Sequence, residues 1–237
     1  MEKGKGKIEF AVFDVDGTLL DTESIYTLVT NKVLEKYNLT LQWSLKQELM
    51  GRPALDSCRH LCAKLQLPCA PEDFLAERRM YEDIYMPTAE FLPGAKELVL
   101  HLKKCGVKMA VATSARRCNY EAKAARHKDV FDLFDAVVCG DDPRIKKGKP
   151  APDIFLLAAE TLNPAFLDRL EAGIVFEDAV SGVQAGLASG MHVVAVPDVN
   201  LLDNPANLPI FQQADNFLKS LADFDPLPWG LPPMDQH

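Results

Sequence analysis

The chain has 237 residues, 48% of them hydrophobic, and its 26 Lys and Arg against 34 Asp and Glu give a net charge of −8. The length corresponds to one large domain or two small ones. The acidic balance argues against a nucleic-acid-binding protein and a polybasic membrane anchor, because both need a basic surface. No apolar run reaches the roughly 18 residues of a membrane-spanning helix.

The cysteines and the polar start of the chain bear on its cellular setting. Six cysteines are scattered along the chain and no secretory signal precedes them. This pattern is typical of a reduced compartment rather than of a disulfide framework. We therefore expect a cytoplasmic protein, with an organelle as the alternative, and a monomer as the default state.

Apolar runs and helical segments alternate along most of the chain. Short, β-branched apolar runs predict buried strands at 8–13, 107–112, 136–139, 172–176 and 192–196. Helical spacing predicts helices at 94–104, 116–127, 153–162 and 178–189. The alternation predicts an α/β fold with a doubly wound, mostly parallel sheet and helices on both faces.

Residues 21–90 break this alternation. They carry helical periodicity without a clear strand, and prolines punctuate them at positions suited to helix starts or connectors. We predict that 21–90 form a helical-bundle domain inserted after the first strand. The α/β core would then comprise residues 1–20 and 91–237.

Two carboxylates, Asp14 and Asp16, follow the first predicted strand directly and precede Gly17. Carboxylates this close repel each other, and a divalent cation such as Mg²⁺ relieves the repulsion. The carboxyl end of a strand in an open α/β sheet is also where ligands bind. The competing interpretation is an ordinary Asp-rich surface turn.

Three further motifs follow later predicted strands or precede a helix. The Thr113-Ser114 hydroxyls can cradle a phosphate or cap a helix. Lys149 lies in a proline-flanked turn, where it can neutralise a phosphoryl group or simply be solvated. Glu177 and Asp178 form a second acidic pair after the strand at 172–176, and this pair can complete a metal site with the first.

These four motifs, in this order, resemble those of the haloacid dehalogenase-like hydrolase superfamily, and the helical insertion resembles its first type of cap. Further segments resemble the subgroup that holds plant-type glycerol-3-phosphatases, pseudouridine-5′-phosphatases and FMN hydrolases. These segments are 13–23, 50–52, 126–128, 140–143, 148–150, 176–179, 196–198 and 229–232.

The resemblance implies a mechanism and a metal. Asp14 would be the nucleophile that forms an aspartyl-phosphate, and Asp16 the general acid and then the general base. Mg²⁺ would be held by Asp14, the main-chain carbonyl of Asp16 and Asp178, with Glu177 binding directly or through water.

The resemblance also implies where the substrate binds. Thr113, Ser114 and Lys149 would bind the transferring phosphoryl group. Cap residues would select the rest of the molecule, and Glu23 and Arg52 are the polar candidates, beside Tyr26 and Arg78. For each of these cap residues, a solvated or capping side chain is the competing interpretation.

The expected function is Mg²⁺-dependent hydrolysis of a small phosphorylated metabolite. The expected substrates are glycerol 3-phosphate and a nucleotide-like 5′-monophosphate such as pseudouridine 5′-phosphate or FMN. The alternative is a phosphosugar mutase, but Tyr26 and Ala54 stand where the β-phosphoglucomutase pattern has a His and an Arg. A third hypothesis is a non-catalytic, phospho-accepting signalling module, which would not carry the helical insertion.

Overall fold

The computed structural model describes residues 6–49 and 54–234. In these residues six strands form one sheet in the order β3-β2-β1-β4-β5-β6, and every neighbouring pair is parallel. The strands are β1 Phe10–Phe13, β2 Lys108–Thr113, β3 Ala136–Cys139, β4 Gly173–Glu177, β5 His192–Ala195 and β6 Asn216–Phe217. This sheet confirms the predicted α/β class.

The described helices fall into two groups along the chain. The first group follows β1 and consists of α1 Thr22–Leu34, α2 Trp43–Leu49, α3 Ala54–Leu65 and α4 Pro71–Tyr85. The second group is α5 Ala95–Lys104, α6 Arg117–Ala124, α7 Lys128–Phe131, α8 Asp153–Leu162, α9 Val180–Ser189 and α10 Leu208–Phe211. Short 3₁₀ turns connect several of them.

The chain divides into two compact units. One unit takes the described residues up to Asp21 together with those from Glu90 onward, and it contains the sheet. The other unit is Thr22–Ala89, whose described residues form α1 to α4 and short turns. The helical unit has its own apolar core, in which Val33, Leu61 and Phe74 are buried.

The strands form because their side chains are apolar on both faces. All residues of β1 are fully buried, and they contribute to a core that helices cover. A parallel strand with helices on both faces must be apolar at successive positions, which is the pattern of this sequence. β6 was not predicted, because a two-residue strand has no periodicity to detect.

The sheet register determines where the polar motifs lie. β1 is the central strand, and its last residue Phe13 pairs with Val111 of β2 and with Phe176 of β4. The residues that follow these three strands therefore meet at one edge of the sheet. The predicted helix at 116–127 is shorter than expected, since α6 ends at Ala124 and a 3₁₀ turn follows.

Among the described residues, no helix is both long enough and apolar enough to cross a membrane.

Candidate active site

Asp14 and Lys149 form the centre of the site. The Asp14 amide donates to the carbonyl of Phe176, which extends the β1–β4 ladder by one residue. Asp14 therefore lies at the carboxyl edge of the sheet. Its side chain is buried, and Lys149 Nζ lies 2.6 Å from Asp14 Oδ1. The same ammonium lies 2.6 Å from Glu177 Oε1 and donates to the Ala112 carbonyl at 3.2 Å. Lys149 therefore bridges two carboxylates from the ends of β1 and β4.

The electrostatics of this bridge favour an additional cation. Burial raises the pKa of Asp14 to about 7, and the nearby Glu177 and Asp16 carboxylates act in the same direction, while Lys149 opposes them. Burial disfavours the Lys149 ammonium, but Asp14 and Glu177 outweigh that cost and raise the Lys149 pKa. One lysine thus serves two buried acids and leaves negative charge that is not fully compensated.

Asp178 lies against the turn that follows Asp16. Its Oδ1 accepts a hydrogen bond of 2.9 Å from Thr18 Oγ1. Gly17 has φ +83°, and a Cβ at this residue would lie 2.4 Å from Asp178 Oδ2. The absence of a side chain at Gly17 therefore lets the second acidic pair approach the backbone of the first.

Glu177 is held from both sides. It is 1% exposed, its Oε1 accepts from Lys149, and its Oε2 accepts from the Ala179 amide at 2.9 Å. The first turn of α9 approaches it so closely that a Cβ on Gly182 would lie 1.8 Å from Glu177 Oε1. The Glu-Asp motif and the glycine that follows it are thus one packing unit.

Asp16 has a partner that sequence reasoning missed. Lys123 Nζ lies 2.5 Å from Asp16 Oδ1 and 2.7 Å from Oδ2, and Thr113 Oγ1 donates weakly at 3.4 Å. Lys123 was overlooked because it stands inside a helix, outside the motifs. The available signal was its spacing, since Tyr120 and Ala124 place it on the apolar face of α6.

The two predicted hydroxyl residues differ in placement. Thr113 is the last residue of β2, is buried, and accepts a hydrogen bond of 3.1 Å from the Ala115 amide. It lies beside Asp16, as its contact with that carboxylate shows. Ser114 is exposed, and its main chain packs so closely on Gly140 that a Cβ there would lie 2.3 Å from the Ser114 carbonyl oxygen.

Three of the four predicted substrate-selecting residues, Glu23, Tyr26 and Arg78, lie in the helical unit. Glu23 is on α1, and its carboxylate lies 3.2 Å from Lys46 Nζ. Glu23, Tyr26 and Arg78 all line one cavity of about 250 Å³ within this unit. Arg52 lies outside the described residues.

Asp142, in the turn after β3, pairs with Arg144. Both oxygens of Asp142 accept hydrogen bonds from the Arg144 guanidinium, at 2.9 and 2.7 Å. Those bonds lower the pKa of Asp142 to about 2. Asp142 and Arg144, two positions apart, therefore form an ion pair within one turn.

The acidic cluster fits a hard divalent cation in its chemistry. It offers carboxylate oxygens from Asp14 and Asp178 and a main-chain carbonyl at Asp16. Burial above all, and then the nearby Glu177 and Asp16 carboxylates, raise the pKa of Asp14, and a bound cation would favour its charged form. Within 6–49 and 54–234, no three His, Cys, Asp or Glu side chains form a ready cation cage. Mg²⁺ does not need one, because it takes one or two carboxylates and completes its shell with water and phosphate oxygens.

Comparisons with known proteins place the chain in a family. The haloacid dehalogenase-like hydrolase family model matches residues 11–196. The chain is 42% identical to the mitochondrial (DL)-glycerol-3-phosphatase 1 of Arabidopsis thaliana, across 100% of this chain and 78% of that protein. It is 39% identical to a probable pseudouridine-5′-phosphatase of Drosophila melanogaster, across 95% of each chain.

A solved structure shows the same fold. A HAD family hydrolase of Deinococcus radiodurans, with bound phosphate and sodium, superposes with a TM-score of 0.77 over 95% of this chain and 98% of its own. Its sequence identity of 24% speaks for the fold alone. The family assignment rests instead on the match of the family model and on the sequence identity to the two relatives. This chain belongs to the haloacid dehalogenase-like hydrolase family.

Proposed function

We propose that this protein is a Mg²⁺-dependent phosphatase of small phosphomonoesters that works through an aspartyl-phosphate. The observation that carries the proposal is the buried Lys149 bridge between Asp14 and Glu177, at 2.6 Å to each. A carboxylate fixed beside an ammonium at the edge of a sheet can attack phosphorus while the ammonium offsets phosphoryl charge. The names of the two relatives, both phosphatases, support the same reaction class.

The first half-reaction forms a bond between an Asp14 oxygen and phosphorus and breaks the bond between phosphorus and the leaving oxygen. A proton passes from the Asp16 carboxyl group to that departing oxygen. In the second half-reaction Asp16 takes a proton from water, whose oxygen forms a bond to phosphorus while the bond between Asp14 and phosphorus breaks. This step releases phosphate and restores the Asp14 carboxylate. Thr113, Ser114 and Lys149 are assigned to the phosphoryl group.

Mg²⁺ would be held by Asp14, the carbonyl of Asp16 and Asp178, with Glu177 reaching it directly or through water. When bound, it would neutralise phosphoryl charge and orient the phosphate for in-line attack. Lys149 donates a hydrogen bond to Glu177 and so fixes the position of this carboxylate beside the proposed metal ligands.

We assign the choice of alcohol to the helical unit. Its cavity of about 250 Å³ is lined by polar side chains, including Glu23, Tyr26, Lys46 and Arg78, and by three apolar ones. This volume lies below the roughly 300–1,000 Å³ of sites for drug-sized ligands. A small, hydroxyl-rich leaving group such as glycerol therefore suits it better than the flat ring system of FMN, and pseudouridine 5′-phosphate is intermediate.

The test is phosphate release with Mg²⁺ from a panel of phosphomonoesters that includes these three compounds, ranked by kcat/KM. We expect repeated turnover, loss of turnover with EDTA, and the highest kcat/KM for glycerol 3-phosphate. Acid quenching with labelled substrate should trap a phosphorylated protein that Asp14→Asn does not form. Isomerised sugar phosphate without phosphate release would indicate a mutase, and a single phosphorylation without turnover would indicate a signalling module.

A further inference from the structure

Lys123 is a buried charged residue that the proposed roles do not use. Its side chain is 2% exposed, and its ammonium contacts both oxygens of Asp16 at 2.5 and 2.7 Å. Removing an ammonium from water is energetically unfavourable, so lysine is rarely this buried unless a partner holds it. A surface position on α6 would avoid that cost, which makes the contact itself the feature to explain.

The position of the ammonium is set by the helix. Lys123 is in the last turn of α6, and Tyr120 and Ala124 are buried on the same side of this helix. Residues three and four apart share a helix face, so packing of α6 determines where the lysine stem runs. The ammonium is therefore delivered to Asp16 from a rigid element rather than from a loop.

Asp16 needs an external anchor more than Asp14 does. Asp14 is buried and extends the sheet ladder, whereas the Asp16 side chain is 22% exposed and lies in the turn after β1. Thr113 contributes one long contact of 3.4 Å. The two contacts from Lys123 bind both Asp16 oxygens at once and so restrict the rotation of the carboxyl group.

We propose that Lys123 is the positioning residue for Asp16. It holds the Asp16 carboxyl group where that group can exchange a proton with the leaving oxygen, and it takes no part in binding the phosphoryl group. The inference rests on the proposed function, in which Asp16 is the general acid.

The inference separates substrates by their leaving groups. An alkoxide leaves slowly without a proton, whereas 4-nitrophenolate leaves readily without one. A displacement of about 1 Å at a catalytic group can cost about 100-fold in rate. We expect Lys123→Met to lower kcat/KM for glycerol 3-phosphate by about 100-fold but for 4-nitrophenyl phosphate by less than about tenfold.

Three further variants make the experiment specific. Lys123→Arg keeps a cation and should recover part of the glycerol 3-phosphate activity. Lys128→Met makes the same chemical change at an exposed lysine five residues along and should leave both activities unchanged. In the Asp16→Asn background, Lys123→Met should no longer change the ratio of the two activities, because the group it positions has been removed.

Equal losses on both substrates would overturn the inference and leave Lys123 with a structural role. A raised inhibition constant for inorganic phosphate in Lys123→Met would instead make Lys123 a phosphoryl ligand, which also overturns it. If Lys123→Met does not fold by circular dichroism, Lys123→Arg and the Asp16→Asn/Lys123→Met double variant decide, since the double variant leaves no unpaired carboxylate. Failure of the unmodified protein to release phosphate from any monoester would refute the proposed function, a result distinct from any outcome at Lys123.

Discussion

Lys149 Nζ lies 2.6 Å from Asp14 Oδ1, although 135 positions separate the two residues in the chain. Asp14 follows the central strand β1, and Lys149 precedes helix α8. The contact therefore joins two parts of the chain that meet at the carboxyl edge of the sheet. It pairs the proposed nucleophile with the cation that would offset phosphoryl charge.

Asp14→Asn should abolish turnover and leave the fold intact. The amide cannot serve as the nucleophile, and it resembles the neutral acid that burial already favours at this position. We expect kcat to fall by at least about 1,000-fold, with an unchanged circular dichroism spectrum. Asp142→Asn, the same change at the Arg144 ion pair, should keep kcat within about twofold. Most of the activity remaining in Asp14→Asn would show that another group attacks phosphorus.

Lys149→Met should lower both stability and activity. It would leave Asp14 and Glu177 as two buried carboxylates without their shared ammonium. Removing one partner of a buried ion pair costs about 3–5 kcal/mol, which chemical denaturation can measure. Added Mg²⁺ should recover part of the stability but not the activity. A variant as stable as the unmodified protein would show that the Lys149 ammonium does not stabilise the two buried carboxylates.

Gly182→Ala should disturb Glu177. The new Cβ would lie 1.8 Å from Glu177 Oε1, and that side chain is too buried to move aside freely. We expect a loss of about 1–3 kcal/mol in the free energy of unfolding. We also expect weaker Mg²⁺ binding, measured as a higher Mg²⁺ concentration at half-maximal rate. Gly148→Ala is the matched control, because a Cβ there meets nothing within 4 Å. Equal behaviour of the two variants would contradict the packing argument.

The stability of the metal-free protein should depend on pH through Asp14. The pKa of Asp14 is about 7 in the folded chain against an ordinary value of 3.8, so between these values the folded chain binds more protons than the unfolded chain. Its contribution to the free energy of unfolding therefore falls as the pH rises from about 4 to about 7. In EDTA, the Tm of Asp14→Asn minus the Tm of the unmodified protein should therefore increase as the pH rises across this interval.

Mg²⁺ should reverse that trend. It binds the deprotonated carboxylate, so its stabilising effect should be larger near pH 8 than near pH 6, as measured by the shift in Tm. Asp14→Asn should show a smaller shift at both values. A Mg²⁺-induced shift in Tm that is the same at both pH values would show that Asp14 does not bind the metal.

The sheet was predictable because its strands are buried on both faces. β3 matches its predicted range, and β1, β2, β4 and β5 differ from theirs by one or two residues at one or both ends. Apolar runs specify such strands locally. The ends were less predictable, because capping and 3₁₀ turns depend on neighbouring elements, as the end of α6 at Ala124 illustrates.

By itself, the sequence determined the α/β class and named Asp14, Asp16 and Lys149 as site candidates, because apolar runs and motif order are local properties of the chain. The tertiary structure alone decided which groups pair. Lys123 reaches Asp16 across 107 positions, and Gly182 approaches Glu177 through the packing of α9. Such contacts depend on how helices pack on the sheet, and no spacing along the chain encodes that distance.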